Sequence, residues 1–130
     1  MGEFKGGIMK VCISGSRVGI SSSLVYNILL TKLPEDATIL VGDARGTDEY
    51  VKDWCDARIV KVKCTVFKAD WDEYGKLAGI IRNKEMIDQA NMLIYFRYNK
   101  SKGTTNTIDL ARAKKIPIYG IDITEKVYYE

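Results

Sequence analysis

Four short stretches hold most of the groups in this chain that can meet a charged ligand. They are Gly15-Ser16-Arg17, Gly42-Asp43-Ala44-Arg45-Gly46 with Asp48 just beyond it, Arg82-Asn83, and Ser101-Lys102-Gly103-Thr104. Glycine lets backbone N–H groups close on an anion, serine and threonine hydroxyls donate hydrogen bonds, and arginine forks onto phosphate. The same residue types also build ordinary turns and capped helix starts, so each stretch alone reads either way. Neither a Walker A sequence nor a GxGxxG fingerprint is present.

What the chain lacks narrows the chemistry. It has no histidine, which removes the Ser-His-Asp and Cys-His nucleophile arrangements, His-ligated metals and the usual general base near neutral pH. Any catalysis falls to carboxylates, arginine, tyrosine or a cofactor. Cys12, Cys55 and Cys64 are widely spaced in apolar settings. They suggest neither a metal site nor a secreted disulfide framework, so a reducing, cytoplasmic compartment is expected, with no metal and no required cofactor. The 20 basic and 17 acidic residues interleave to a net charge of +3, which argues against nucleic acid as a partner, because phosphate-tracking surfaces cluster their cations. No apolar run approaches the ~18 residues of a membrane span, so no membrane partner is expected.

The elements that must position these groups follow from the alternation of β-rich runs with stretches of helical period. Strands are expected at Lys10–Ser14, Thr38–Val41, Cys64–Phe67, Met92–Phe96 and Pro117–Ile121. Helices are expected from about Ser21 to Pro34, from Thr47 or Asp48 with Val51, Trp54, Cys55 and Ile59 on one face, over Lys76–Gln89, and over Thr104–Lys115. In the third of these, Gly79, Ile80, Asn83, Met86, Ile87 and Ala90 share an arc, which points Asn83 inward and sends Arg82 to the other side. Trp71 and Tyr74 can flank a planar ligand or cover the core, with core packing the commoner role for such a pair. The expected fold is α/β, a Rossmann-like three-layer arrangement of about five mainly parallel strands. Ligands of such sheets bind outside the carboxyl ends of the strands, where three of the four stretches fall. Residues 1–8 read as an added leader ahead of a start at Met9, and 9–130 as one domain.

The order of these motifs resembles the SLOG superfamily of Rossmann-like nucleotide-binding proteins, especially its small YpsA-related branch. The matching pieces are ISGSR, VGDARGTDEYVKDW, FKADWDEYGKLAGIIRNKEM and SKGTTNTIDLA, spanning Lys10 to about Ile121. The resemblance implies that Gly15, Ser16, Arg17, Gly42 to Gly46, Asp48, Arg82, Asn83, Ser101, Gly103 and Thr104 converge on one nucleotide or nucleotide-derived, ADP-ribose-like ligand. In that scheme Arg17 and the start of the last helix hold phosphate, Asp43 or Asp48 binds ribose hydroxyls, and Arg82 with Asn83 orients sugar or base.

Members called LOG cleave the N-glycosidic bond of nucleoside monophosphates with an arginine in RKxxM and a glutamate in GGxGTxxE. Arg82 and Met86 match the first motif, with Asn83 in place of lysine. In the second, Ser101-Lys102 replace the paired glycines and Thr107 replaces the glutamate. A threonine cannot supply the negative charge that stabilises a cationic sugar. Binding, sensing or sequestering is therefore the expected role, with output through a partner or a homo-oligomer. The alternatives are an N-glycosidic hydrolase or transferase using Arg82 and an acid such as Asp43, Asp48 or Asp70, and single-stranded nucleic-acid binding, which superfamily relatives in DNA uptake suggest.

Overall fold

A computed structural model describes residues 8–59 and 61–125. Apart from Ile8, the expected leader lies outside the described residues, as does the tail beyond Glu125. The strands are β1 (Lys10–Gly15), β2 (Thr38–Gly42), β3 (Cys64–Phe67), β4 (Met92–Tyr98) and β5 (Ile118–Ile123). The α-helices are α1 (Ser22–Lys32), α2 (Thr47–Ala57), α3 (Trp71–Tyr74), α4 (Ala78–Gln89) and α5 (Lys102–Lys114), with a 3₁₀ turn at Gly75–Leu77 between α3 and α4.

All five strands are parallel, in the order β3-β2-β1-β4-β5. Because the chain builds outward from β1 to β3 and then returns to place β4 beside β1, the right-handed crossover rule puts α1 and α2 on one face and α4 and α5 on the other. The core divides accordingly. Val11 and Ile13 pack with Val25, Leu29, Val51 and Trp54, whereas Cys12 and Leu40 pack with Met86, Ile87, Ile108 and Ala111. Central strands β1 and β2 are therefore apolar without alternation, as a strand covered on both faces must be. Each fully buried aliphatic side chain contributes about 1.5–3 kcal/mol.

The sheet is the expected three-layer α/β fold; four of its strands begin where the β-rich runs do, and β5 begins one residue later, after Pro117. The connection after β3 differs. Asp70 Oδ1 accepts the Glu73 N–H at 3.1 Å and starts the single turn of α3, and Gly75 at φ +55° breaks it from the turn that follows. Trp71 and Tyr74 are 50% and 43% exposed, so they do not cover the core. Ile59 and Ile80, expected on buried faces, are exposed as well. No helix among the described residues is long and apolar enough to cross a membrane.

Candidate functional site

Strand order reverses between β1 and β4, and the carboxyl ends of these strands part there to leave a cleft of about 290 Å³. Its floor is Ile13 to Val18 at the end of β1. Ala44 and Asp48 enter from the β2–α2 connection, Arg82, Asn83 and Met86 from α4, and Tyr98, Ser101, Gly103 and Thr104 from the β4–α5 connection.

Ser16 ties these elements together. Its N–H donates to the Phe96 carbonyl at 2.9 Å, and its carbonyl accepts both the Thr47 hydroxyl at 2.9 Å and the Thr47 N–H at 3.3 Å. The Ser16 hydroxyl accepts the Tyr98 N–H at 2.8 Å and meets the Ser101 hydroxyl at 2.5 Å. One buried serine thus fixes the ends of β1 and β4 against the starts of α2 and α5. A second tie comes from Gly46, whose φ of +76° and lack of a side chain let it lie on the Arg17 carbonyl, 2.3 Å from where a Cβ would stand.

The β2 end is built for close approach. A Cβ at Gly42 would stand 2.6 Å from Arg82 Nη1 and 2.8 Å from Asp48 Oδ2, so glycine there admits both charged groups over the strand. Arg82 is buried, contrary to the outward side expected for it. Its Nη1 donates to Asp43 Oδ1 at 2.9 Å and its Nε to Asn83 Oδ1 at 3.1 Å. Asn83 points inward as expected, and its Nδ2 donates to Asn106 Oδ1 on α5 at 3.1 Å. Asp48 Oδ2 accepts the Ala44 N–H at 3.0 Å. Burial nonetheless pushes the Asp48 carboxyl up from 3.8 to about 6, against the lowering effects of that hydrogen bond and of Arg82 and Lys52. Beneath it, burial raises the Cys12 thiol to about 12, which leaves that cysteine unreactive at neutral pH.

At the start of α5, Ser101 stands in the cap position without capping. Its hydroxyl turns to Ser16 and donates to the Thr104 hydroxyl at 3.2 Å, leaving the first-turn N–H groups without a side-chain partner. Asn99 and Lys100, both left-handed at φ +47° and +52°, turn the chain into this position. Such backbone costs roughly 1 kcal/mol or more per residue and persists where surrounding structure holds it. Here the Asn99 N–H donates to the Ile123 carbonyl and its side chain accepts the Glu125 N–H. Thr107 is fully buried; its hydroxyl accepts from Ser14 and donates to the Gly103 carbonyl.

Ten of the fourteen residues singled out from sequence line this cleft: Gly15, Ser16, Arg17, Ala44, Asp48, Arg82, Asn83, Ser101, Gly103 and Thr104. Asp43 and Arg45 line an adjoining cleft of about 320 Å³ with Arg17, Ala44, Trp71 and Arg82. Gly42 and Gly46 line neither: Gly42 is a spacer beneath Arg82 and Asp48, and Gly46 lets the backbone of its loop meet that of Arg17. Asp70 caps α3. The cleft is also lined by Ile13, Ser14, Val18 and Tyr98, which the sequence did not single out, and by Met86, which it marked only as a motif match. For Tyr98 the available signal was the length of β4, which runs two residues beyond the expected end. Among the described residues no three His, Cys, Asp or Glu side chains come together as a metal set.

A parallel sheet in this order, with its cleft at the reversal of strand order, defines a Rossmann-like α/β domain. The chain is 31% identical over 116 residues to the Gene 61 protein of Mycobacterium phage D29, covering 84% of this chain and 93% of the phage protein. It belongs to the family of that protein. No protein-family model and no solved structure matches the chain.

Proposed function

We propose that this protein binds a phosphate-bearing nucleotide or nucleotide-derived ligand of the ADP-ribose type, as a cytoplasmic sensor or sequestering protein. The observation that carries the reading is the uncapped start of α5 facing one cleft with Arg17, Arg82 and Asp48. Free first-turn N–H groups and a helix dipole favour an anion, the arginines add charge, and a carboxylate can accept ribose hydroxyls. Thr107 supports binding over the LOG reaction, because the position of the LOG glutamate is spent on hydrogen bonds to Ser14 and Gly103.

Thermal-shift screening against nucleotides tests the proposal, since a ligand at 100 times its dissociation constant adds about 2.7 kcal/mol of stability. A Cβ at Gly103 meets nothing within 4 Å, so Gly103→Val should fold normally while its branched side chain keeps phosphate from the helix start. Loss of the shift is expected. An unchanged response in Gly103→Val would remove α5 from the site.

One observation favours a second reading, cleavage or transfer at an N-glycosidic bond. Asp48 lines the cleft and holds its proton to about pH 6, a useful range for a general acid. Chromatography for free base after incubation with the bound nucleotide decides between the two. Sustained turnover that disappears in both Asp48→Asn and Arg82→Ala makes the protein an enzyme.

A further inference from the structure

The adjoining cleft has chemistry of its own. Three of its side chains are arginines, Arg17, Arg45 and Arg82, against one carboxylate, Asp43. Asp43 is committed to Arg82 at 2.9 Å, and among the described residues neither Arg17 nor Arg45 has an ion-pair partner. Two uncompensated guanidinium groups on one small concavity concentrate positive potential there. The backbone contact between Gly46 and Arg17 brings the two loops together, which is why both arginines face the same hollow.

Trp71 closes its far side. Its indole lies against the first turn of α4, with Cη2 3.5 Å from where a Cβ on Gly79 would stand, yet half of the residue is exposed. A single exposed tryptophan is unremarkable on its own. Beside free guanidinium groups and above a cleft, it offers a flat apolar surface next to an anion site, and planar rings stack there.

Size points the same way. Small-molecule sites commonly enclose roughly 300–1,000 Å³, and the first cleft, at about 290 Å³, lies at the lower limit. The second, at about 320 Å³, shares Arg17, Ala44 and Arg82 with it. A ligand reaching from the start of α5 to Trp71 crosses both.

We infer that the ligand carries a second anionic group, which docks between Arg17 and Arg45 beside Trp71. This makes it a nucleoside diphosphate or a derivative of one rather than a nucleoside monophosphate. The inference rests on the nucleotide reading of the first cleft and gives that reading a substrate class.

The test is calorimetric titration of the full chain with AMP, ADP and ADP-ribose at fixed ionic strength. In the parent protein ADP and ADP-ribose should bind at least tenfold tighter than AMP. Arg45→Ala and Trp71→Ala should each cut that preference at least fivefold. Both residues are exposed, and circular dichroism checks their folding. Tryptophan emission gives an independent signal, because Trp54 lines a different hollow beside Leu33 and Arg58. ADP-ribose should change the emission of the parent and leave that of Trp71→Phe unchanged. Equal affinities for AMP and ADP in the parent, or a preference that survives in both variants, overturns the second anionic site. With AMP binding still abolished by Gly103→Val, that result leaves the first cleft standing. Failure of all three nucleotides to bind removes both readings.

Discussion

Asp48 occupies a place where an ionised carboxylate is costly. Only one backbone N–H meets it, from Ala44, and burial outweighs the help of Arg82 and Lys52 while Asp43 adds repulsion. The consequence for stability has a definite sign. Below pH 3.8 the group is protonated in both folded and unfolded chains and costs nothing. Between 3.8 and about 6 the unfolded chain gives up its proton first, so stability falls as pH rises, and above about 6 the penalty is complete. The gap corresponds to about 3 kcal/mol. Asp48→Asn keeps an acceptor for the Ala44 N–H and carries no charge. Urea denaturation should show the variant more stable than the parent by about 2–3 kcal/mol at pH 7.5, with the difference vanishing below pH 4. A difference that does not change with pH would mean that the carboxylate is solvated and the cost imaginary. A carboxylate kept at such a cost on a cleft wall weakens the fold, which is the trade the proposed ligand-binding role would explain.

Among the elements, α4 matters most because it delivers both Arg82 and Asn83. Its carboxyl end is secured from outside, with Lys114 Nζ on α5 donating to the carbonyls of Ile87, Asp88 and Ala90 at 2.8–2.9 Å. They are the last carbonyls of the helix, of which Ile87 also accepts the Ala90 N–H at 3.1 Å, and a cation is favoured beside them. Lys114→Met keeps the apolar stem and removes the donor. Since the lysine is exposed at the surface, the expected loss is about 1–2 kcal/mol, seen as a lower urea midpoint at unchanged slope. An unchanged midpoint would show the three bonds to be replaceable by water.

The same helix shows how far sequence reasoning reached. Periodicity located α4 and turned Asn83 inward, but Ile80 drew the apolar arc away from Arg82. In the fold the buried arc is rotated toward Arg82, and Ile80 faces out. Apolar phase assigns a face only when polar residues face water, and here a buried guanidinium pairs with Asp43, which is 39 residues away in the chain. Trp71, Tyr74 and Ile59 misled for a related reason: apolar character says that a side chain gains by burial, whereas only the packed elements say whether a neighbour is there. The loops were legible because glycine, serine and aspartate at strand ends carry their backbone requirements locally. Their gathering at one edge was legible from the parallel-sheet rule as well as from the order of motifs.

At the scale of the whole molecule, the cleft is where two separately packed layers meet. The α1–α2 side contributes Arg17, Ala44 and Asp48, and the α4–α5 side contributes Arg82, Asn83, Gly103 and Thr104, with Ser16 between them. A ligand held by both sides couples them and acts on the stability of the entire domain, not on one loop. Hydrogen exchange with ADP-ribose at 100 times its dissociation constant makes this measurable. Core amides of β1 and β4 exchange only through global opening, so they should slow by about a hundredfold. Amides of residues 14–17, 43–48 and 101–104 should gain protection together, as local opening of any one would break contacts held by the others. The amides of Glu35 and Asp36, in the exposed loop before β2 at the opposite end of the sheet, should exchange by local fraying and not change. Protection confined to residues 101–104 would reduce the site to an isolated helix start, binding an anion without joining the two layers.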